Sequence, residues 1–195
     1  MKSFALFASL ALGLAACSQG QQPAAPPPLE GAAIGGPFTL TGENGEPVSW
    51  SDFDGKYRTL YFGYTFCPDV CPVDVGRTMA GLKRFEAASP DRAAKVQPLF
   101  ISVDPERDTP AVLREFTDQF HPRLIGMTGS KEQLDKVTKE FAAQYSLGEK
   151  NEEGGYLVNH TSITYLFGPD GEPIAILPTD EGPDAVAAEL DKWVR

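Results

Sequence analysis

An α/β fold, with a central mixed sheet flanked by helices and an extra N-terminal hairpin, is predicted by three observations. Apolar runs of strand length alternate, through the middle of the chain, with segments whose apolar residues recur at helical spacing. Two of those runs, Thr59 to Tyr64 and Gln97 to Val103, lack a polar face, as strands covered on both sides do. A second hairpin pattern comes late, after a glycine-rich loop.

The first hairpin is Phe38-Thr39-Leu40, a turn at Gly42-Glu43-Asn44-Gly45, and Pro47-Val48-Ser49-Trp50; Ser51-Asp52-Phe53 begins a brief helical turn. The run Thr59 to Tyr64 leads directly into Cys67. After Cys71, Val75, Met79, Leu82 and Phe85 mark one face of a helix to about Ala87, with Pro72 in its first turn. Gln97 to Val103 is the next buried strand. Asp108 or Thr109 caps a helix from Pro110 to about Phe120. Leu124 to Met127 is a short strand, and Ser130 to about Tyr145 a helix presenting Leu134, Val137 and Phe141. The loop Asn151 to Gly155 precedes the late hairpin, Ser162 to Phe167, a turn at Gly168-Pro169-Asp170-Gly171, and Pro173 to Leu177; Asp184 to Trp193 closes the chain as a helix. This order is thioredoxin-like. Such folds host many activities, so function must be argued from the site.

At 195 residues the chain has room for one ordinary domain and its attachments. The balance of 17 Lys+Arg against 27 Asp+Glu, a net charge of −10, argues against nucleic-acid or anionic-lipid surfaces as partners. Beyond the N-terminus no stretch approaches the roughly 20 apolar residues a membrane span needs.

The N-terminus reads as an export signal over residues 1–16: Lys2 is its positive region, Phe4 to Leu14 its apolar region, and Leu14-Ala15-Ala16-Cys17 its cleavage site. The site resembles a bacterial lipobox, which implies a lipid on the Cys17 sulfur and Cys17 as the first mature residue. An ordinary signal peptide cut nearby is the alternative. Residues 17–36 then form a lipidated, Pro/Ala/Gln-rich tether, and residues 37–195 the folded domain. In polyproline-like form the tether reaches on the order of 60 Å. An exported domain works where disulfides persist.

Of three cysteines, Cys67 and Cys71 are left for the domain, in Cys67-Pro68-Asp69-Val70-Cys71-Pro72 between a buried strand and a helix N-terminus. Pro72 disfavours the α conformation for Cys71, which places Cys71 at or just before the helix cap and Cys67 in the loop. Unpaired backbone N–H groups and the helix dipole there favour thiolate. Three readings follow: a structural disulfide, which closes too small a ring to constrain the unfolded chain much; a redox-active dithiol; or a site for a thiophilic metal, which needs further ligands. His160, in Val158-Asn159-His160-Thr161-Ser162, is the candidate third ligand, although a lone histidine before a strand is more often a surface or capping residue. His121, at a helix end, reads as a structural cation. Two thiolates and an imidazole are too few for structural zinc, whereas copper(I) accepts trigonal soft coordination and copper(II) can add an oxygen, from water or from Asp69 or Asp74. Met79 and Met127 read as core.

These residues sit in segments that resemble the Sco/SenC proteins, accessory factors in assembling the copper A centre of cytochrome c oxidase. The most specific segment is Gly63-Tyr64-Thr65-Phe66-Cys67-Pro68-Asp69-Val70-Cys71-Pro72. Ser102-Val103-Asp104-Pro105-Glu106-Arg107-Asp108-Thr109-Pro110 and Asn159-His160-Thr161 through Phe167-Gly168-Pro169-Asp170-Gly171 are similar to two further family signatures. The resemblance covers about Gly36 to Arg195. It implies a thioredoxin-like fold binding one copper, as Cu(I) or Cu(II), through Cys67, Cys71 and His160. It implies delivery to oxidase subunit II from a periplasmic copper donor, at the periplasmic face of the inner membrane; Ser18 after the lipidated cysteine is a residue type that in some bacteria directs lipoproteins to the outer membrane. Asp104, Arg107 and Asp108 match a family loop, while the chain itself suggests helix capping for them. The alternative function is a thiol-disulfide oxidoreductase that uses Cys67 and Cys71 to reduce the cysteines of the copper A apo-site. A general thioredoxin is disfavoured by the C-x3-C spacing and by the absence of proline before the strand at Ile163.

Overall fold

The computed structural model describes residues 25–195; Cys17 and the export signal lie outside the described residues. Its centre is a seven-stranded sheet in the order β2-β1-β5-β4-β3-β8-β9. Those strands are β1 (Thr39–Gly42), β2 (Pro47–Ser49), β3 (Tyr57–Gly63), β4 (Val96–Ser102), β5 (Ile125–Thr128), β8 (Thr164–Phe167) and β9 (Pro173–Leu177). β6 (Tyr145–Leu147) and β7 (Val158–His160) form a separate antiparallel ribbon. β3, β4 and β5 run parallel through crossovers that carry α1 (Val70–Ala88), the single turn α2 (Pro90–Ala93) and α3 (Pro110–Asp118). Antiparallel strands lie on both sides, so the sheet is mixed and thioredoxin-like, with the expected N-terminal hairpin. α4 (Lys131–Glu140) and α5 (Pro183–Trp193) complete the helices.

Every residue of β3 and of β4 is buried, as the two-sided apolar runs require. Thr59 and Tyr61 face α1, where Thr59, Tyr61, Val75, Thr78 and Met79 line one small void. Phe62 faces the other way, onto the Phe141 ring at 6.0 Å. α5 crosses α1 so closely that a Cβ on Gly81 would lie 2.5 Å from Val186 Cγ1, so glycine is needed at the crossing. Met79 and Met127 are core, as the sequence predicts.

Three local expectations need correction. The helix expected from Ser130 to Tyr145 starts as predicted, with a capping box between Ser130 and Gln133, but stops at Glu140. Ala142 turns into positive φ (52°), and Tyr145–Leu147 leaves as a strand because β7 supplies its ladder. Residues 27–36, read as tether, lie against the domain: the Leu29 N–H donates to the Ile174 carbonyl at 3.0 Å, the Gly35 N–H donates to the Glu140 carbonyl at 2.9 Å, and Leu29 and Ile34 pack on the core. Composition marks a segment that cannot fold alone, not one that cannot dock.

His121, third, is structural as expected, but as a buried neutral ring rather than a cation at the helix end. It is 4% exposed, its Nδ1 accepts from the Arg123 N–H at 3.1 Å, and its Nε2 faces the Glu86 carboxylate at 3.2 Å. Burial holds its pKa below the ordinary value, against the opposing pull of Glu86. As pH falls, the unfolded chain therefore takes up the imidazole proton first, and stability is lost as pH drops through about 6.5. The denaturant midpoint of the wild type is expected to decrease between pH 7.5 and 5.5, and His121→Gln to flatten that slope while leaving the share of the other histidine, His160. Parallel midpoint profiles for the two proteins would contradict this assignment.

Candidate metal centre

β3 ends at Gly63, and the chain turns through Tyr64 to Pro68 into α1. A Cβ on Gly63 would lie 2.9 Å from Tyr61 and 3.0 Å from the Cys71 sulfur, so glycine lets the strand end approach the thiol. Cys67 is half-buried in the loop. Cys71, expected at or before the cap, is instead the second residue of α1, with Asp69 as N-cap. Pro72 is harmless at the third position because that residue's N–H has no partner within a helix. The pre-proline restriction on Cys71 is a bias that helix nucleation at Val70 outweighs.

His160 arrives from the far end of the chain as the last residue of β7, paired with Tyr145. Its ring is packed by the edges or faces of Tyr61 and Tyr64, with centroids 5.9 and 5.8 Å away. Its Nδ1 faces the Thr161 carbonyl at 3.3 Å, which aims Nε2 at the Cys71 sulfur, 3.1 Å away. The Cys71 N–H points at the Cys67 sulfur at 3.5 Å. The donor atoms of Cys67, Cys71 and His160 all lie within 4.8 Å of one another, and both cysteines are free thiols. The structure thus brings together the three side chains the sequence selects, and among the described residues no carboxylate joins them. Asp69 is exposed, and Asp74 accepts from the Tyr61 hydroxyl at 3.1 Å.

The electrostatics divide the two thiols. Burial pushes Cys67 up, but the backbone N–H groups of Cys71 and Asp69, helped by the side chains of Cys71 and Tyr64, more than offset it, so its pKa lies below the ordinary value. Burial dominates at Cys71 and drives its pKa far up, with Cys67 adding to the effect. Burial also lowers the pKa of His160. Without a metal, the Cys71 thiol and a neutral imidazole therefore face each other as donor and acceptor.

The loop between β4 and α3 holds both halves of this cluster. Helix capping, expected of Asp104, Arg107 and Asp108, belongs to Thr109, whose hydroxyl accepts from the Val112 N–H. Asp108 instead ties down the cysteine loop: it accepts from the Thr65 N–H (2.9 Å), the Thr65 hydroxyl (2.6 Å) and the Ser102 hydroxyl (2.5 Å). Asp104 accepts from Arg107 Nε and from the Tyr156 hydroxyl at 2.7 Å. The Arg107 guanidinium lies 3.7 Å from the centroid of the Tyr156 ring and 5.1 Å from that of Phe66, and donates to the Tyr156 carbonyl at 2.9 Å. The chain leading into His160 is thereby clamped to the loop that carries Cys67. Tyr156 was missed by the sequence reading; its signal is a single aromatic in an otherwise glycine-rich, charged loop.

Two sulfurs and one imidazole fit a soft monovalent ion in trigonal coordination and fall one ligand short of a structural zinc site. A family model described as SCO1/SenC matches residues 26–195. The protein SenC of Rhodobacter capsulatus is 41% identical over 173 residues, covering 89% of this chain and 73% of SenC. The human mitochondrial SCO1 homolog is 38% identical over 164 residues, 83% of this chain and 53% of that protein. The chain thus spans about half the length of such mitochondrial relatives. Among solved structures, Bradyrhizobium japonicum ScoI with copper bound superposes with a TM-score of 0.74 at 37% identity, covering 83% of this chain and 99% of that one.

Proposed function

The chain belongs to the SCO1/SenC family, and on that premise we propose that it carries one copper ion, bound by Cys67, Cys71 and His160, in the assembly of cytochrome c oxidase. The single observation that carries the reading is the approach of His160 Nε2 to 3.1 Å from the Cys71 sulfur with the Cys67 sulfur alongside. Copper in a ScoI structure that covers most of this chain agrees with that donor set. The half-buried Cys67 gives an incoming or departing donor its point of attack, while buried Cys71 and half-buried His160 hold the ion.

The proposed acceptor is oxidase subunit II at its copper A site, and the proposed source a periplasmic copper donor. The proposed location is the periplasmic face of the inner membrane, with the outer membrane as the alternative that Ser18 suggests. Attachment is through lipid on Cys17; among the described residues no helix is long and apolar enough to cross a membrane. With residues 27–36 held against the domain, only residues 17–26 would remain as tether, about 30 Å in polyproline-like form, which keeps the domain near the bilayer.

A second reading rests on the opposed thiol pKa values. An outward cysteine below its ordinary value beside an inward one well above it is the asymmetry of a dithiol whose first sulfur attacks and whose second resolves. On that reading the protein reduces the cysteines of the copper A apo-site. Titrating the reduced protein with copper(I) and copper(II), wild type beside His160→Ala, separates the two. Copper carriage expects about one ion per wild-type chain and weakened binding in the variant. Unchanged stoichiometry and affinity in His160→Ala would remove the imidazole from the site and move the function to disulfide reduction.

A further inference from the structure

Six large apolar side chains are notably exposed among the described residues, and five of them lie on the segments that carry the cysteine-histidine cluster: the cysteine loop, the start of α1 and the β6–β7 ribbon with the residue before β7. Phe66 (53% exposed) adjoins Cys67, Val70 and Val73 lie on either side of Cys71 in sequence, Leu147 ends β6, and Leu157 (58%) immediately precedes β7, which carries His160. The Arg107 guanidinium, between the rings of Phe66 and Tyr156, joins the two groups, since Leu157 follows Tyr156. Single exposed apolar residues need no explanation; a collar of five on the segments that carry one site does.

Acidic side chains border this collar. Asp69 lies in the cysteine loop, and Glu149, Glu152 and Glu153 lie in the loop joining β6 to β7; all four are exposed, and none is in an ion pair among the described residues. The basic groups nearby are already engaged: Arg107 with Asp104, and Lys150 with Glu106 at 3.6 Å. The border is thus negative on a chain of net charge −10.

We infer that this collar is a docking surface for a protein face with apolar side chains at its centre and lysine or arginine around them. The charge selects among occupants. A second copy would oppose the same four carboxylates to themselves, and an anionic lipid surface would meet them with its own charge, whereas a basic border satisfies them. The purpose of docking rests on the copper-carrier reading: the collar would seal water from the opening at Cys67 while a partner's donor atoms reach it. The surface itself stands independently of the metal.

The test uses the full chain, isotope-labelled, reduced and metal-free, so that a failed copper titration and a failed docking experiment remain distinct. Two synthetic peptides share one Leu/Phe/Val core without cysteine, histidine or methionine; one is flanked by lysines, the other by glutamates. The lysine peptide is expected to bind at least about tenfold tighter at low salt and to lose that advantage as salt rises. It should shift the amide resonances of residues 66–73 and 147–157. Phe66→Ser with Leu157→Ser should weaken it, and charge reversal at Glu149, Glu152 and Glu153 should reverse the preference between the peptides. Equal binding of the two peptides, or shifts located elsewhere, overturns the inference. So does concentration-dependent dimerisation that Phe66→Ser abolishes, because the collar then serves a second copy.

Discussion

Cys71→Ser is expected to lower copper(I) affinity by at least about two orders of magnitude in a competition titration of the reduced protein. The magnitude follows from scaling: four-ligand zinc sites in small domains bind with about 10–16 kcal/mol, roughly 3 kcal/mol per ligand, and each 1.4 kcal/mol is tenfold in affinity. A hydroxyl replaces the soft thiolate with a poor ligand for copper(I) and leaves the Cys67 sulfur and the imidazole facing an ion they cannot enclose. Fold stability should suffer far less, because oxygen occupies nearly the same volume and His160 Nε2, now 3.1 Å from sulfur, is placed to accept a hydroxyl hydrogen bond. A serine variant that keeps wild-type affinity would show that Cys71 is outside the donor set, whatever its position.

Phe141→Ala is expected to do the reverse, costing about 3–5 kcal/mol of stability while leaving copper stoichiometry intact. Phe141 is fully buried, and the rings of Trp50, Phe167, Phe38 and Phe62 lie 5.2, 5.4, 5.9 and 6.0 Å from it. Removing the ring opens a void that four rigid neighbours cannot collapse into. The melting temperature should drop by about 6–20 °C for a domain of this size. Because Phe62 faces away from Tyr61 and α1, the damage lies across the sheet from the thiols. A loss of less than about 1 kcal/mol would mean that the cluster repacks.

Periodicity made most of the sheet and its helices legible, because β3, β4 and α1 carry their own burial pattern in a few consecutive residues. It failed at β6, whose three residues have no pattern of their own and take their conformation from pairing with β7, thirteen residues on. The three side chains that the structure brings together, Cys67, Cys71 and His160, were legible by chemistry, since few residue types hold soft metals. Their clamps were not. Short-range logic correctly identifies Thr109 as a helix cap, yet Asp108 beside it serves Thr65, 43 residues away, and Asp104 serves Tyr156, 52 residues away. A carboxylate next to a helix start looks the same in both roles until the fold is known. Cys71 shows a third limit, where a statistical backbone preference gave way to a helix that begins at Val70, at least two residues earlier than expected.

Cys71 and His160 are 89 residues apart in sequence and meet only when the ribbon carrying the histidine has docked beside β3. Holding such distant groups together in an unstructured polypeptide carries the full entropic penalty of closing a long loop. A nascent or misfolded chain therefore offers copper nothing better than a pair of neighbouring sulfurs, and on the proposed function cargo would be retained only by molecules whose maturation is finished, an inspection step that needs no inspector.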